Sequence, residues 1–427
     1  MRHPSLLRLR SFLFVCAMAV CAAAAPASWP LPTVEPAQAG FSAAGLDRLH
    51  ATLDRAVDAG AYSGYIVLLA RDGKVVDWRA HGVRRVSTGE ALQKDDIVHL
   101  FSMSKLFTST AVLMLMEEGK LKLDDPAEKF LPALKGAQVF VGGTVDAPVL
   151  EPAKSAPTIR QLLAHTAGYY YDFSATPALA AFYHKADLWS SANLDEFVAK
   201  AGRMPLAHQP GTAFVYGINT DLLGAIVEKA SGMTFDAFIA QRICAPLSLQ
   251  DTGFSVPESK RARVAFLHEH DAQGKLVESA QGGYNDRLTV ARPGLYSGGG
   301  GLFSTAADYA RFAQMLLNGG QLDGVRLLSR KSVELMTRDH IANLAQPHPF
   351  GQRDHGFGLG VRVLTQPGES SSPGSVGCFG WDGMATTNVQ IDPKERTVAI
   401  VLFQHLPFNE GEILSYYTNG YYSALAD

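Results

Sequence analysis

Ser102 and Lys105 stand three residues apart in the segment His99-Leu100-Phe101-Ser102-Met103-Ser104-Lys105, which leads into an apolar run from Leu106 to Met116. On a helix this spacing puts both side chains on one face, one turn apart. A serine hydroxyl becomes an effective nucleophile only when a base takes its proton. A lysine packed against apolar side chains loses hydration of its ammonium form, and can be that base or polarise one. At a helix start, Ser102 would also sit where unpaired N–H groups and the helix dipole favour a developing anion. Ser-x-x-Lys by itself recurs by chance, and its plain alternative is a serine N-cap followed by a surface lysine. The surroundings favour chemistry, because Lys105 interrupts a stretch that is apolar on both sides. Ser104 is the rival serine, but no lysine follows it at the same spacing.

These residues need a scaffold, and the pattern along the chain predicts one. Residues 42–58 repeat apolar positions at helical spacing, with Ser42 as N-cap. Tyr65–Ala70 and Lys74–Trp78 flank Arg71-Asp72-Gly73 as a β-hairpin with an Asp-Gly turn. A second hairpin is expected from Thr387–Ile391 and Thr397–Gln404, and a closing helix over 410–425. Between them lie helical patterns at 102–118, 158–165, 192–202, 220–231, 234–243, 306–318 and 329–337. Strands at both ends and helices between them predict an α/β domain, assembled from about 40–120 and 295–427. A largely helical insertion at about 121–294 interrupts it. A cleft between such parts is a usual ligand site.

The first residues stand apart. Arg2, Arg8 and Arg10 precede the apolar run Ser11–Ala25, and small residues follow it. A basic start, a short apolar run and an alanine-rich exit describe a secretory signal peptide over 1–25, predicting a periplasmic or secreted protein. The run is short of the ~20 residues that span a bilayer, so no stable membrane span is expected once the leader is removed. Residues 26–427 then form the mature chain. It keeps two of the four cysteines, Cys244 and Cys378, either as buried thiols or as one disulfide; a disulfide framework is excluded. With 38 basic and 41 acidic residues the net charge is −3, which argues against a general nucleic-acid binder. At 427 residues and 47% hydrophobic side chains the chain can bury a sizeable core unaided.

Six segments together resemble the serine β-lactamase-like hydrolases. They are FSMSKLFTSTAVLMLMEEGKLKLDDPAEKFLP from Phe101, TIRQLLAHTAGYYYDF at 158–173, FVYGINTDLLGAIVEKASGMTFDAFI at 214–239, PLSLQDTGF at 246–254, GGGGLFSTAADYARFAQMLLNGG at 298–320 and FGWDGMATTNVQIDP at 379–393. They occur in the family's order and cover nearly all of 40–405. The closest branch is the class C-like esterases, the family VIII carboxylesterases. The resemblance implies an antiparallel sheet flanked by helices with an inserted all-helical domain, the active site lying between them. It implies Ser102 as the acylated nucleophile, Lys105 as its partner base and Tyr216 as a second proton carrier. It also implies an oxyanion hole of two backbone N–H groups, Ser102 and Met384, with Gly383 allowing close approach. Preorganised donors of this kind are typically worth ~3–4 kcal/mol.

Two departures from the family pattern carry information. The asparagine of Tyr-x-Asn is Ile218, and an asparagine follows one place late at Asn219. The cation of Lys-Thr-Gly is replaced by Trp381 in Trp381-Asp382-Gly383. In β-lactamases and penicillin-binding proteins those groups engage the antibiotic, so a β-lactam should bind less well here. The resemblance therefore implies a serine carboxylesterase acting on small, short-acyl esters, with Trp381, Gly383, Met384 and Asn219 around the substrate. Amide or peptide hydrolysis by the same fold and a non-catalytic binding protein are the alternatives. No Gly-x-Ser-x-Gly occurs, which argues against an α/β-hydrolase elbow. His165 matches a structural segment of the family. His268-Glu269-His270-Asp271 lacks the His-Glu-x-x-His spacing of a metal site, and no metal or cofactor is implied. Gly298–Gly301 match a tight turn beside the site, and Tyr169–Tyr171 either line the cleft or pack.

Overall fold

A computed structural model of the chain describes Met1 and residues 30–281, 285, 294–346 and 348–427. The rest of the leader read at 1–25 lies outside the described residues, as do Cys16 and Cys21. The central feature is an eight-stranded antiparallel sheet. Its strands are β1 (Gly64–Arg71), β2 (Lys74–Arg85), β3 (Glu90–Ala91), β4 (His355–Phe357), β5 (Arg362–Leu364), β6 (Phe379–Gly383), β7 (Thr387–Asp392) and β8 (Thr397–Leu402), in the order β4-β5-β6-β7-β8-β1-β2-β3. The first hairpin turns at Asp72 and Gly73, both left-handed at φ +52° and +75°, the geometry that Asp-Gly favours between twisted strands. Strands β1 and β8 are buried at every position because both faces are covered. Ile66, Leu68 and Ala70 of β1 join the larger core. Tyr65, Val67 and Leu69 join a second core under α1 (Ala43–Asp58) and the closing helix Ile413–Ser423. Ser42 caps α1 by accepting the Gly45 N–H at 3.2 Å.

The opposite face carries α4 (Ala306–Leu317), against which α2 (Lys105–Glu117) packs, with α3 (Asn219–Ser231) of the inserted part beyond it. Every residue of α2 from Lys105 to Leu115 is buried, as expected for a helix that is apolar all round. Phe107 stacks on Phe312 of α4 at 3.7 Å, and α2 also packs on α3. The inserted part is helical at 159–163, 177–186, 194–201, 219–231 and 235–239. It also carries the antiparallel pair His268–His270 and Leu276–Glu278 and, earlier in the chain, the hairpin Gln138–Gly143 against Pro148–Pro152. That hairpin breaks the helical pattern because Gly142, Gly143 and Pro148 disfavour helix and permit a tight bend. Strand β6 is not among the elements read from the pattern, since Gly380 and Gly383 hide the alternation of Phe379 and Trp381. Cys244 and Cys378 are free and buried; burial pushes both thiols up, Cys378 to about 12.

Burial of phenols sets an alkaline limit. Tyr309, Tyr417 and Tyr421 are fully buried, and burial pushes each well above the ordinary tyrosine value, about 10. A raised folded-state value contributes stability that is complete below the unfolded value and is lost as pH rises toward the folded one. Base unfolding is therefore expected to begin above about pH 10, with tyrosinate absorbance and loss of circular dichroism rising together. Phenols that titrate near their ordinary value while the fold persists would contradict this.

Candidate active site

The nucleophile turn is a single tight turn, Phe101–Ser104, running directly into α2. Phe101 enters it left-handed at φ +47°, a conformation costing a non-glycine residue roughly 1–2 kcal/mol. Surrounding bonds hold it there. The Tyr309 hydroxyl donates to Met103 O at 3.0 Å, and the Leu302 N–H donates to Ser104 Oγ at 3.1 Å. This separates the two serines: Ser104 is fully buried with its oxygen engaged, whereas Ser102 is partly exposed.

Lys105 is completely buried, and its three N–H donors are all used. Nζ donates to Ser102 Oγ at 3.1 Å, to Gly299 O at 2.7 Å and to the Tyr171 hydroxyl at 3.4 Å. A buried cation needs a counter-charge, and Asp221 of α3 supplies one at second hand. The Gly299 N–H donates to Asp221 Oδ1 at 3.0 Å, Ser297 Oγ to the same oxygen at 2.5 Å, and the Tyr171 hydroxyl to Oδ2 at 3.3 Å. Burial pushes the Asp221 carboxyl up, while the charge of Lys105 and these three hydrogen bonds oppose it. Gly299 thus touches both charges, its N–H on Asp221 and its carbonyl on Lys105. A Cβ there would lie 2.5 Å from Asp221 Oδ2, so only glycine fits. The reading of Gly298–Gly301 as a tight turn places Gly299 within this network. Tyr171, left open between lining and packing, is part of it.

Tyr216 meets the lysine with its ring rather than its hydroxyl: Nζ lies 4.7 Å from the ring centroid, within cation–π range. Its oxygen accepts the indole N–H of Trp381 at 3.1 Å. Phe357 and Phe350 pack about Trp381 at 5.2 and 6.2 Å between ring centroids, giving the wall an apolar, aromatic character. At the end of β6, a Cβ on Gly383 would lie 2.3 Å from Leu100 O and 2.1 Å from Thr387 Oγ1. The strand can approach the nucleophile turn this closely only because residue 383 is glycine. Met384 follows, packed with Phe101, Leu267, Ala385 and Leu406.

The structure does not bring Asn219 to the substrate side. Asn219 is fully buried, and its Nδ2 bonds His165 Nδ1 at 2.9 Å and Tyr169 O at 3.1 Å. The expectation of a substrate-binding asparagine one place late is corrected on this ground: the first turn of α3 points residue 219 into the wall behind Tyr216. His165 is the structural partner in that wall. It also accepts the Gly217 N–H at 3.3 Å, and burial, aided by the charge of Lys105, holds its imidazole far below the ordinary value and hence neutral. Ile218, in the departed motif position, is a fully buried core residue. Sequence reasoning missed Asp221 altogether. Its signal was there: an acid directly before the apolar run Leu222–Val227, much as Lys105 precedes its own apolar run.

The chain is similar to proteins already known. The family model described as Beta-lactamase matches residues 49–418. A Mycobacterium tuberculosis protein, Rv1367c, is 33% identical over 369 residues, spanning 85% of this chain and 90% of its own. Lovastatin esterase from Penicillium rubens is 31% identical over 348 residues, 78% of this chain and 85% of its own. Among solved structures, simvastatin synthase from Aspergillus terreus superposes with a TM-score of 0.77 at 25% identity, over 90% of this chain and 99% of its own.

Proposed function

Because the chain belongs to the beta-lactamase family, within the serine β-lactamase-like superfamily, we propose that it is a carboxylesterase that cleaves small, short-acyl esters through an acyl-enzyme on Ser102. The observation that carries the reading is the 3.1 Å contact between Ser102 Oγ and a wholly buried Lys105. Ser102 Oγ attacks the ester carbonyl carbon and its proton passes to the Tyr216 phenolate, beside which the Lys105 ammonium stands. The carbonyl oxygen, now an anion, is met by the N–H groups of Ser102 and Met384. The C–O bond to the alcohol breaks and that proton passes to the leaving oxygen. Water then enters, gives a proton to the same Tyr216 oxygen and attacks the acyl carbon; the acid leaves and that proton returns to Ser102 Oγ.

Ester rather than β-lactam selectivity is supported by the wall. Trp381 occupies the place where the resemblance puts a cation, and Phe350 and Phe357 surround it. A site without that cation leaves the carboxylate of a β-lactam unpaired. A relative named an esterase supports ester cleavage. Among the described residues no helix is long and apolar enough to cross a membrane, and the leader read at 1–25 supports action outside the cytoplasm. The test is paired initial rates on p-nitrophenyl butyrate and a chromogenic cephalosporin. The ester is expected to turn over about 100-fold faster or more. A cephalosporin rate equal to or above the ester rate would overturn the substrate class.

A further inference from the structure

Behind the oxyanion strand, the chain brings together a set of side chains that the ester chemistry does not use. After β8 the short strand His405–Leu406 runs parallel to His268–His270, which pairs in turn with Leu276–Glu278. Glu410 lies just beyond. His405 Nε2 stands 2.7 Å from Glu410 Oε2, and His270 Nδ1 stands 3.3 Å from the same oxygen. Among the described residues this is the one group of three metal-ligating side chains, with all ligand atoms within 4.8 Å of one another.

The tautomer of His270 makes the arrangement informative. Its Nε2 lies 3.1 Å from Gly60 O. A carbonyl only accepts, so Nε2 carries the proton and donates. In the neutral ring that leaves a lone pair on Nδ1 facing a carboxylate oxygen at 3.3 Å. Two acceptors face each other there, and a cation between them relieves the repulsion. A histidine whose second nitrogen donates to a backbone carbonyl is also the usual orientation of a metal ligand. A cleft of about 570 Å³, lined by Tyr62, His270, Glu410 and Tyr416, opens beside the group and gives an ion and its water a way in.

We propose that His270 Nδ1, His405 Nε2 and Glu410 bind a divalent transition-metal ion of the zinc class, with the fourth position left to water. Two imidazoles and one carboxylate form a donor set suited to zinc, whose bonds of ~2.0–2.2 Å call for ligand atoms roughly 3.3 Å apart. The His270–Glu410 spacing already fits. Binding requires His405 and Glu410 to part slightly and the two imidazoles to close. The run His268–Asp271 had no metal spacing of its own; one ligand comes from it and two come from a segment far along the chain.

The position gives such a site a structural consequence. The His405 N–H donates to Ala385 O at 3.2 Å, and Thr386 Oγ1 donates to His405 O at 3.3 Å. Residues 384–386 carry the proposed oxyanion donor, so an ion at His405 would tie that loop to the inserted part through His270.

The experiment uses full-length protein stripped with a chelator, then dialysed to equilibrium against zinc chloride and, separately, cobalt(II) chloride. The result expected is one equivalent of zinc, a cobalt visible spectrum of tetrahedral type, and a thermal midpoint that rises with zinc and falls back with chelator. His270→Ala and Glu410→Gln, both at accessible positions, are each expected to weaken zinc about 100-fold or more, while circular dichroism is unchanged. Absence of stoichiometric zinc and cobalt binding would overturn the proposal, leaving a hydrogen-bonded His–Glu–His cluster. Binding that both variants retain would overturn it equally, because the ion would then lie elsewhere.

Discussion

Replacing Ser102 by alanine is expected to lower turnover of p-nitrophenyl butyrate by about 10⁴- to 10⁶-fold, as removal of a nucleophile does elsewhere. The size follows from what is lost: no other hydroxyl can take its place. Ser104 is fully buried and accepts the Leu302 N–H, and it lies on another face of the turn. The fold should be indifferent to the change. Ser102 is partly exposed, and Lys105 keeps its bonds to Gly299 and Tyr171, so stability should shift by no more than about 0.5 kcal/mol. Mass spectrometry after exposure to an alkyl phosphonate should show one adduct on the wild type and none on Ser102→Ala. A variant that retains turnover within tenfold of the wild type would remove Ser102 as the nucleophile, and with it the acyl-enzyme route.

The parts of the molecule that the sequence made legible are those specified locally. The β1–β2 hairpin could be read because β1 is apolar over most of its length and the Asp-Gly turn has one favoured geometry. β8 and α2 were legible for the same reason, since burial on all sides leaves long apolar runs, and β7 was legible because Val389 and Ile391 alternate with Asn388, Gln390 and Asp392. Strand β6 was not, because its register is set by neighbours β5 and β7 and its own glycines mimic a turn. The site divides along the same line. Ser102 and Lys105 are one turn apart, so a local pattern finds them. Tyr171 is 66 positions from Lys105, and Asp221 a further 50 beyond Tyr171. Their roles come from the packing of α3 on α2, which no spacing encodes. Asn219 shows the converse hazard: a residue of the right type, one place from the expected position, is turned by the helix into the wall.

Asp221 is the residue on which the buried lysine depends, and the dependence has a distinctive signature. Asp221→Asn keeps the shape and leaves Lys105 buried with no counter-charge; Lys105→Met does the reverse. Each single change is expected to destabilise the protein by about 3–5 kcal/mol, the usual cost of orphaning one member of a buried pair. The double variant Lys105→Met, Asp221→Asn removes both charges together. It should be more stable than either single variant, because replacing a buried pair by neutral groups of similar size is often close to neutral. Activity should follow a different course. Lys105→Met and the double variant lose the cation beside Ser102 and Tyr216 and stay inactive, whereas Asp221→Asn keeps the lysine but loosens Gly299 and Tyr171 around it. Misplacing a catalytic group in this way costs about 100-fold. Denaturant melts and ester rates on the four proteins separate the two effects. Single changes whose stability costs add to within about 0.5 kcal/mol in the double variant would show that the two groups do not interact. An Asp221→Asn variant as stable as wild type would mean that Asp221 is protonated in the folded protein and that the charge of Lys105 is held by the Gly299 carbonyl and Tyr171 alone.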